Sequence, residues 1–281
     1  MTVDRIFIWK TRDQYVDFRR VRVMAIINLT PDSFSDGGQF SDLESALLAA
    51  AEAERRGADI IDVGGESTRP GAIPISADEE WARLAPFFAA VSKHVSLPIS
   101  VDTYHPETAG RALDAGAHII NDVTGLRSPE MRHIVAAAGA GCVLVHHENM
   151  VEGADPVLIV QQFFDKRIEL CVESGINLHQ ICLDPGIGFG KSMEQNLELI
   201  RRMGEIRSYG LPIMAAASRK RVIAGAVGEL PPRELDPGTV AAHTAAILAG
   251  ADMIRVHDVP SGVQCARMAE LMRNAESGMR N

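Results

Sequence analysis

Eight short runs of aliphatic and β-branched residues punctuate the chain, at residues 23–27, 59–63, 98–101, 118–120, 142–145, 180–183, 211–215 and 252–256. Amphipathic segments of roughly 12–20 residues separate them, long enough for one helix each. A strand that must return parallel to its neighbour needs a crossover, and a helix is the usual one. Eight strand–helix repeats therefore predict a parallel sheet closed into a single (β/α)8 TIM barrel. The alternative, an open doubly wound sheet, usually carries an early GxGxxG turn, and none is present.

Local signals agree with that rhythm. The segment after the first run places Leu43, Ala46, Leu47, Ala50 and Ala53 on one helical face, opens with Ser41 and Glu44 at capping-box spacing, and closes at Gly57. Ser76 with Glu79 and Ser192 with Gln195 repeat that spacing. Ser128-Pro129, Asp155-Pro156 and Asp236-Pro237 set a capping side chain before a proline suited to the first helical position. No linker or repeat divides the 281 residues. One domain is expected over 1–281, with residues 1–20 capping the far end of a barrel spanning 21–277. In the last helix Val263, Ala266, Met268, Leu271 and Met272 form an apolar stripe.

Composition narrows the classes. A net charge of −9 argues against a general nucleic-acid surface. The N-terminus is too charged for a signal-peptide core, and no apolar run is long enough to span a bilayer. Cys142, Cys171, Cys182 and Cys265 have no CxxC spacing, so reduced thiols in a cytoplasmic protein are expected.

The ends of the runs carry the polar residues: Asn28, Gly64-Gly65, Asp102, Asn121-Asp122, His146-His147, Asp184, Ser218 and His257. Each alone reads as a turn former. Together, at the carboxyl mouth of a barrel, they read as the lining of a polar pocket.

Four segments add chemistry. Residues 28–38, "NLTPDSFSDGG", carry Asp32, Ser33, Ser35, Asp36 and a Gly-Gly pair with Phe34 as the one bulky apolar group after Leu29. Such a segment is either a solvated connector or a long mobile lid. In "DVGGESTRPGA", residues 62–72, Gly64 and Gly65 permit a close backbone approach, and Thr68, Arg69 and Pro70 present a guanidinium to an oxyanion. "LDPGIGFGK", residues 183–191, fails the Walker A spacing. Its Asp184, with Asn121 and Asp102 opposite, could instead accept hydrogen bonds from a flat, amide-rich heterocycle, though a turn Asp before Pro185 is the plainer reading. "SRKR", residues 218–221, and "RVHD", residues 255–258, follow the last two strands, where barrels often hold phosphate. Lys220 offers a point charge, and Arg219 and Arg221 read equally well as exposed helix-start charges. Arg255 and His257 are two apart and share a strand face, a costly arrangement without an anionic partner. Adjacent His146 and His147 cannot both face inward, and no zinc pattern occurs. Mg²⁺ brought in by a phosphorylated substrate and touching Asn28 fits better.

These segments, with "ISVDT" and "INDVTG", resemble in order the signature segments of the dihydropteroate synthase family from about residue 22 to residue 259. The resemblance implies condensation of 6-hydroxymethyl-7,8-dihydropterin diphosphate with p-aminobenzoate, giving 7,8-dihydropteroate and diphosphate in folate synthesis. It places Asp102, Asn121, Asp184, Phe189 and Lys220 on the pterin. Asn28, Arg69, Arg255 and His257 would meet the diphosphate, with Asn28 on Mg²⁺. Phe34, Thr68, Pro70, Lys220 and Arg221 would form the p-aminobenzoate site, and Asp36 would join Asp102, Lys220, Arg255 and His257 in catalysis. It also implies a homodimer, and in that family sulfonamides compete for the p-aminobenzoate position.

The chain departs from the family pattern at Arg221, where Ser is common, at Val145 of the usual Met-His pair, and at Ala216, where Gly is frequent. Two rivals follow from the same residues. Pterin-binding methyltransferase barrels of corrinoid enzymes share the Asp-Asn-Asp set but give no reason for the 33–38 lid or the Arg-x-His pair. A non-catalytic pterin or diphosphate sensor would not need every catalytic position filled.

Overall fold

The computed structural model describes residues 8–30, 39–67, 72–207 and 210–278, with side chains from 43 to 275 in the terminal helices. A hairpin of β1 (Ile8–Thr11) and antiparallel β2 (Gln14–Asp17) precedes the barrel. The barrel strands are β3 (Arg22–Asn28), β4 (Ile60–Gly64), β5 (Ile99–Asp102), β6 (Ile119–Asp122), β7 (Gly141–Val145), β8 (Ile181–Asp184), β9 (Met214–Ala215) and β10 (Met253–Val256). All pair in parallel, in the order β8-β7-β6-β5-β4-β3-β10-β9. The ring closes through a single parallel bridge from Leu183 to Ile213 and a 2.9 Å bond from Leu183 N–H to the Pro212 carbonyl. The expected TIM barrel is therefore the fold. The seventh run forms a shorter strand than its sequence implied, because residues 211–213 serve the seam rather than a continuous ladder.

The helices are α1 (Gln39–Arg56), α2 (Ala77–Val91), α3 (Pro106–Asp114), α4 (Pro129–Ala138), α5 (Pro156–Glu173), α6 (Met193–Arg201), α7 (Arg221–Val227), α8 (Asp236–Leu248) and α9 (Val259–Gly278). Ser76, Ser128, Asp155 and Ser192 cap their helices as expected, and Ser192 with Gln195 completes a reciprocal box. Two expected caps are corrected. α1 begins at Gln39, so Ser41 lies inside it. Leu235 is the residue before α8, and the Asp236 carboxylate instead takes Arg219 in a two-pronged pair at 2.7 Å each; an available guanidinium outcompetes backbone amides for a carboxylate.

Two apolar layers follow from strand alternation. Residues facing the helices form the larger core, and Met24, Ile60, Ile119, Val143, Cys182, Met214 and Met253 fill the barrel interior. Trp9, Val16 and Phe18 of the hairpin region join that inner cluster. Trp9 is fully buried, stacks on Phe18 at 6.1 Å and donates through Nε1 to the Gln180 carbonyl at 2.7 Å. The N-terminal segment plugs the barrel end opposite the strand termini. The α9 stripe divides: Val263 and Ala266 are buried, whereas Met268, Leu271 and Met272 are exposed. Among the described residues no helix is long and apolar enough to cross a membrane.

Candidate active site

Side chains alternate along a strand, so the faces that carry Met24, Ile60, Ile119, Cys182 and Met253 continue upward to Asn28, Asp62, Asn121, Asp184 and Arg255. Register brings them side by side: Asn28 pairs with Gly64, Gly64 with Asp102, Asp102 with Asn121, and Val145 with Asp184. The apolar barrel floor thus gives way to a polar ring at the carboxyl ends.

Arg255 crosses that ring. Its Nε donates to Asp62 Oδ2 at 2.7 Å, and Nη2 lies 2.6 Å from the same oxygen and 2.8 Å from Asp102 Oδ2. The anionic partner expected from outside is therefore supplied by the protein itself, as two carboxylates around one guanidinium. Asn121 donates through Nδ2 to Asp62 Oδ2 at 3.2 Å, while its buried Oδ1 has no partner among the described residues. Burial pushes the Asp102 carboxyl up to about 7, against the opposing pull of Arg255. Burial also raises Asp184, and the fields of Lys220 and Arg255 act against it. Asp184 Oδ1 accepts from the Gly186 amide at 2.8 Å. Arg255 and Asp184 thus lie within reach of each other's fields on one polar ring rather than on opposite rims.

Lys220 closes the other side. Its ammonium donates to the Ile187 carbonyl at 2.7 Å and stands 4.4 Å from the centre of the Phe189 ring. Burial pulls it down to about 8, partly offset by Asp184. Phe189 packs against the inner cluster that contains Val145 and Ala216. The turn bearing Lys220 is held by α8: Ala217 N–H donates to His243 Nε2 at 3.2 Å, Arg219 N–H to Thr239 Oγ1 at 3.1 Å, and Arg219 itself adopts φ +56°. Ser218 Oγ accepts from the His257 amide at 3.2 Å and lies 2.9 Å from His257 Nδ1, fixing the imidazole.

The glycines of "LDPGIGFGK" serve chain packing, not an anion. Gly186 has φ +69°, and a Cβ there would overlap the His146 carbonyl oxygen. Lys191 ties the same loop together, donating to the carbonyls of His146, Gly186 and Phe189 at 2.9–3.0 Å. At the second loop, Gly65 is the residue under close approach, and by α2: a Cβ would stand 3.0 Å from the Glu80 carbonyl. Gly64 meets only ordinary contacts. Glu66 anchors that loop's stem, accepting from Tyr104 Oη at 2.7 Å and pairing with His105 Nε2 at 3.0 Å.

Of the expected site residues, Asn28, Asp102, Asn121, Asp184, Phe189, Lys220, Arg255 and His257 lie at the strand ends or on the loops that follow them. Arg221 is exposed at the start of α7. Phe34, Asp36, Thr68, Arg69 and Pro70 lie outside the described residues, with the rest of 31–38 in the first long loop and 68–71 in the second. Sequence reading passed over Asp62, which sits inside a core run rather than at its end. The available signal was its type: a carboxylate in "IIDVG" must be paired to be buried.

The profile of the pterin binding enzyme family matches residues 24–257. Dihydropteroate synthase of Bacillus subtilis (strain 168) is 41% identical over 273 residues, 96% of this chain and 94% of that protein. The structure of Xanthomonas albilineans dihydropteroate synthase in complex with 7,8-dihydropteroate superposes with a TM-score of 0.85 at 35% identity, covering 95% of this chain and 98% of that one. That of the Thermus thermophilus enzyme in complex with 4-aminobenzoate gives 0.82 at 38% identity, with 94% and 99% covered.

Proposed function

The chain belongs to the dihydropteroate synthases among the pterin binding enzymes, and we propose that this pterinylmethyl transferase joins 6-hydroxymethyl-7,8-dihydropterin diphosphate to p-aminobenzoate. The observation that carries the reading is that Arg255 touches Asp102 at 2.8 Å while its field, with that of Lys220, acts on Asp184. Acceptors for a heterocycle and cations for a leaving diphosphate then share one space. The relatives with bound 4-aminobenzoate and 7,8-dihydropteroate support the same substrate and product classes.

In this scheme Asp184 and Asn121 Oδ1 accept from the pterin ring, Asp102 flanks it, Lys220 donates to it and Phe189 walls it. Arg255 and His257, with Arg69, hold the diphosphate as the bond from the pterin methylene to oxygen breaks and the electron pair departs on diphosphate. Fixed donors aimed at developing charge lower such a barrier, each by about 3–4 kcal/mol. The fields of Asp102, Asp184 and Asp36 stabilise the methylene cation. The amine of p-aminobenzoate, placed by Phe34, Thr68, Pro70, Lys220 and Arg221, forms the new carbon–nitrogen bond and loses a proton. No protein nucleophile is required.

For Mg²⁺ the donor set fits a substrate-borne ion. Among the described residues no group of three His, Cys, Asp or Glu side chains could cage a metal. Asn28 offers one hard amide oxygen at a strand end and is half-buried, which suits an ion that keeps most of its waters. Such an ion neutralises diphosphate charge.

Met268, Leu271 and Met272, exposed together on α9, support a homodimer. Four buried free cysteines accord with a cytoplasmic protein. The test is turnover by purified protein with both substrates and Mg²⁺. Diphosphate release that depends on p-aminobenzoate, with matching dihydropteroate, is expected. Pterin binding without turnover would leave the sensor reading instead.

A further inference from the structure

We infer that Asp62 is a positioning residue, holding Arg255 by its Nε–Nη2 edge and Asn121 by its amide nitrogen, so that Arg255 Nη1 and Asn121 Oδ1 are the atoms left for substrate. The inference rests on the pterin reading of this pocket and adds a residue that acts through Arg255 and Asn121.

The geometry is that of a shared anchor. One oxygen, Asp62 Oδ2, receives Arg255 Nε at 2.7 Å, Arg255 Nη2 at 2.6 Å and Asn121 Nδ2 at 3.2 Å. Asp62 is fully buried within β4, in register with Ile26 on one side and Ser100 on the other. Its main chain is laddered on both flanks and cannot retreat. Asp102, by contrast, is the last residue of β5 and holds Arg255 only through Nη2.

Two consequences follow from donor and acceptor inventories. A guanidinium is planar, so fixing its Nε–Nη2 edge fixes the plane and the direction of Nη1. Among the described residues Nη1 has no hydrogen-bond partner. An ionised carboxylate only accepts, so the Asn121 amide must turn its nitrogen to Asp62 and keep its oxygen for the cavity. That oxygen is buried without a partner among the described residues, and a buried acceptor of this kind calls for a donor from the ligand. A single carboxylate below the pocket therefore sets the polarity of one heterocycle contact and the orientation of one cation.

Asp62→Asn keeps the volume and one acceptor oxygen for Arg255 and Asn121 but loses the charge that holds the guanidinium, and it sets an amide nitrogen where Oδ1 stands buried. The KM for pterin diphosphate should rise and kcat fall, each by at least about tenfold, as for a lost charged hydrogen bond. The KM for p-aminobenzoate should stay within about threefold. Wild-type values for every constant would overturn the inference. Should the variant not fold, the wild-type protein still decides. The Arg255 Nε–H resonance, assigned by its loss in Arg255→Lys, should be shifted downfield and exchange slowly without ligand; rapid exchange there overturns the anchor. An inactive wild type with a protected resonance would instead count against the synthase reading alone.

Discussion

The ammonium of Lys220 stands over the face of Phe189, 4.4 Å from the ring centre. The ring and the Ile187 carbonyl together hold a half-buried cation beside Asp184, with no direct salt bridge among the described residues. A cation–π contact of this kind contributes roughly 0.5–2 kcal/mol. Phe189→Leu should therefore raise the pterin diphosphate KM by about two- to thirtyfold, read from initial rates. An unchanged KM would remove Phe189 from the site.

The pH profile of kcat/KM should be a narrow bell. Asp102, raised to about 7, acts as a carboxylate, so activity falls as pH drops through that value. Lys220, lowered to about 8, acts as an ammonium, so activity falls as pH rises past it. Asp102→Asn should lose the acid limb, and Lys220→Arg the basic one. The stability signs are opposite. The folded state holds extra protons at Asp102 between about 4 and 7, which lowers stability as pH rises there. It holds fewer at Lys220 between about 8 and 10.5, which raises stability across that window.

Chelation should abolish turnover, and added Mg²⁺ should restore it. Asn28→Ala should raise the Mg²⁺ concentration for half-maximal rate by about tenfold, as expected for losing one of a few protein ligands. Calorimetry of diphosphate binding with and without Mg²⁺ checks the same point independently of rate. Equal affinities would oppose a substrate-borne ion.

Trp9→Ala should cost about 3–5 kcal/mol of unfolding free energy, as for other buried Trp truncations. It empties the plug and strands the Gln180 carbonyl. Because the plug lies at the end away from the polar ring, kcat at low temperature should stay near wild type. Urea titration and initial rates together test this separation of stability from chemistry.

Gly186→Ala should fail to reach a native loop. The residue sits at φ +69°, and the added methyl would overlap the His146 carbonyl. Loss of activity with a lowered thermal midpoint is expected. A wild-type melt and rate would show that the loop moves without cost.

Sequence periodicity alone determined the barrel and which residues end its strands, because a two-residue repeat and helix caps are local properties. Asp102, Asn121 and Asp184 were legible for that reason, and Arg255 because it shares a strand face with His257. What tertiary structure decided was pairing. Arg255 meets Asp62 across 193 positions of chain, and Asp236 gives up the first turn of α8 to Arg219. The glycines of residues 186–190 pack chain against chain instead of cradling an anion. Whether a charge is free or already neutralised depends on which distant strands the closed ring sets beside it. No spacing along the chain encodes that distance.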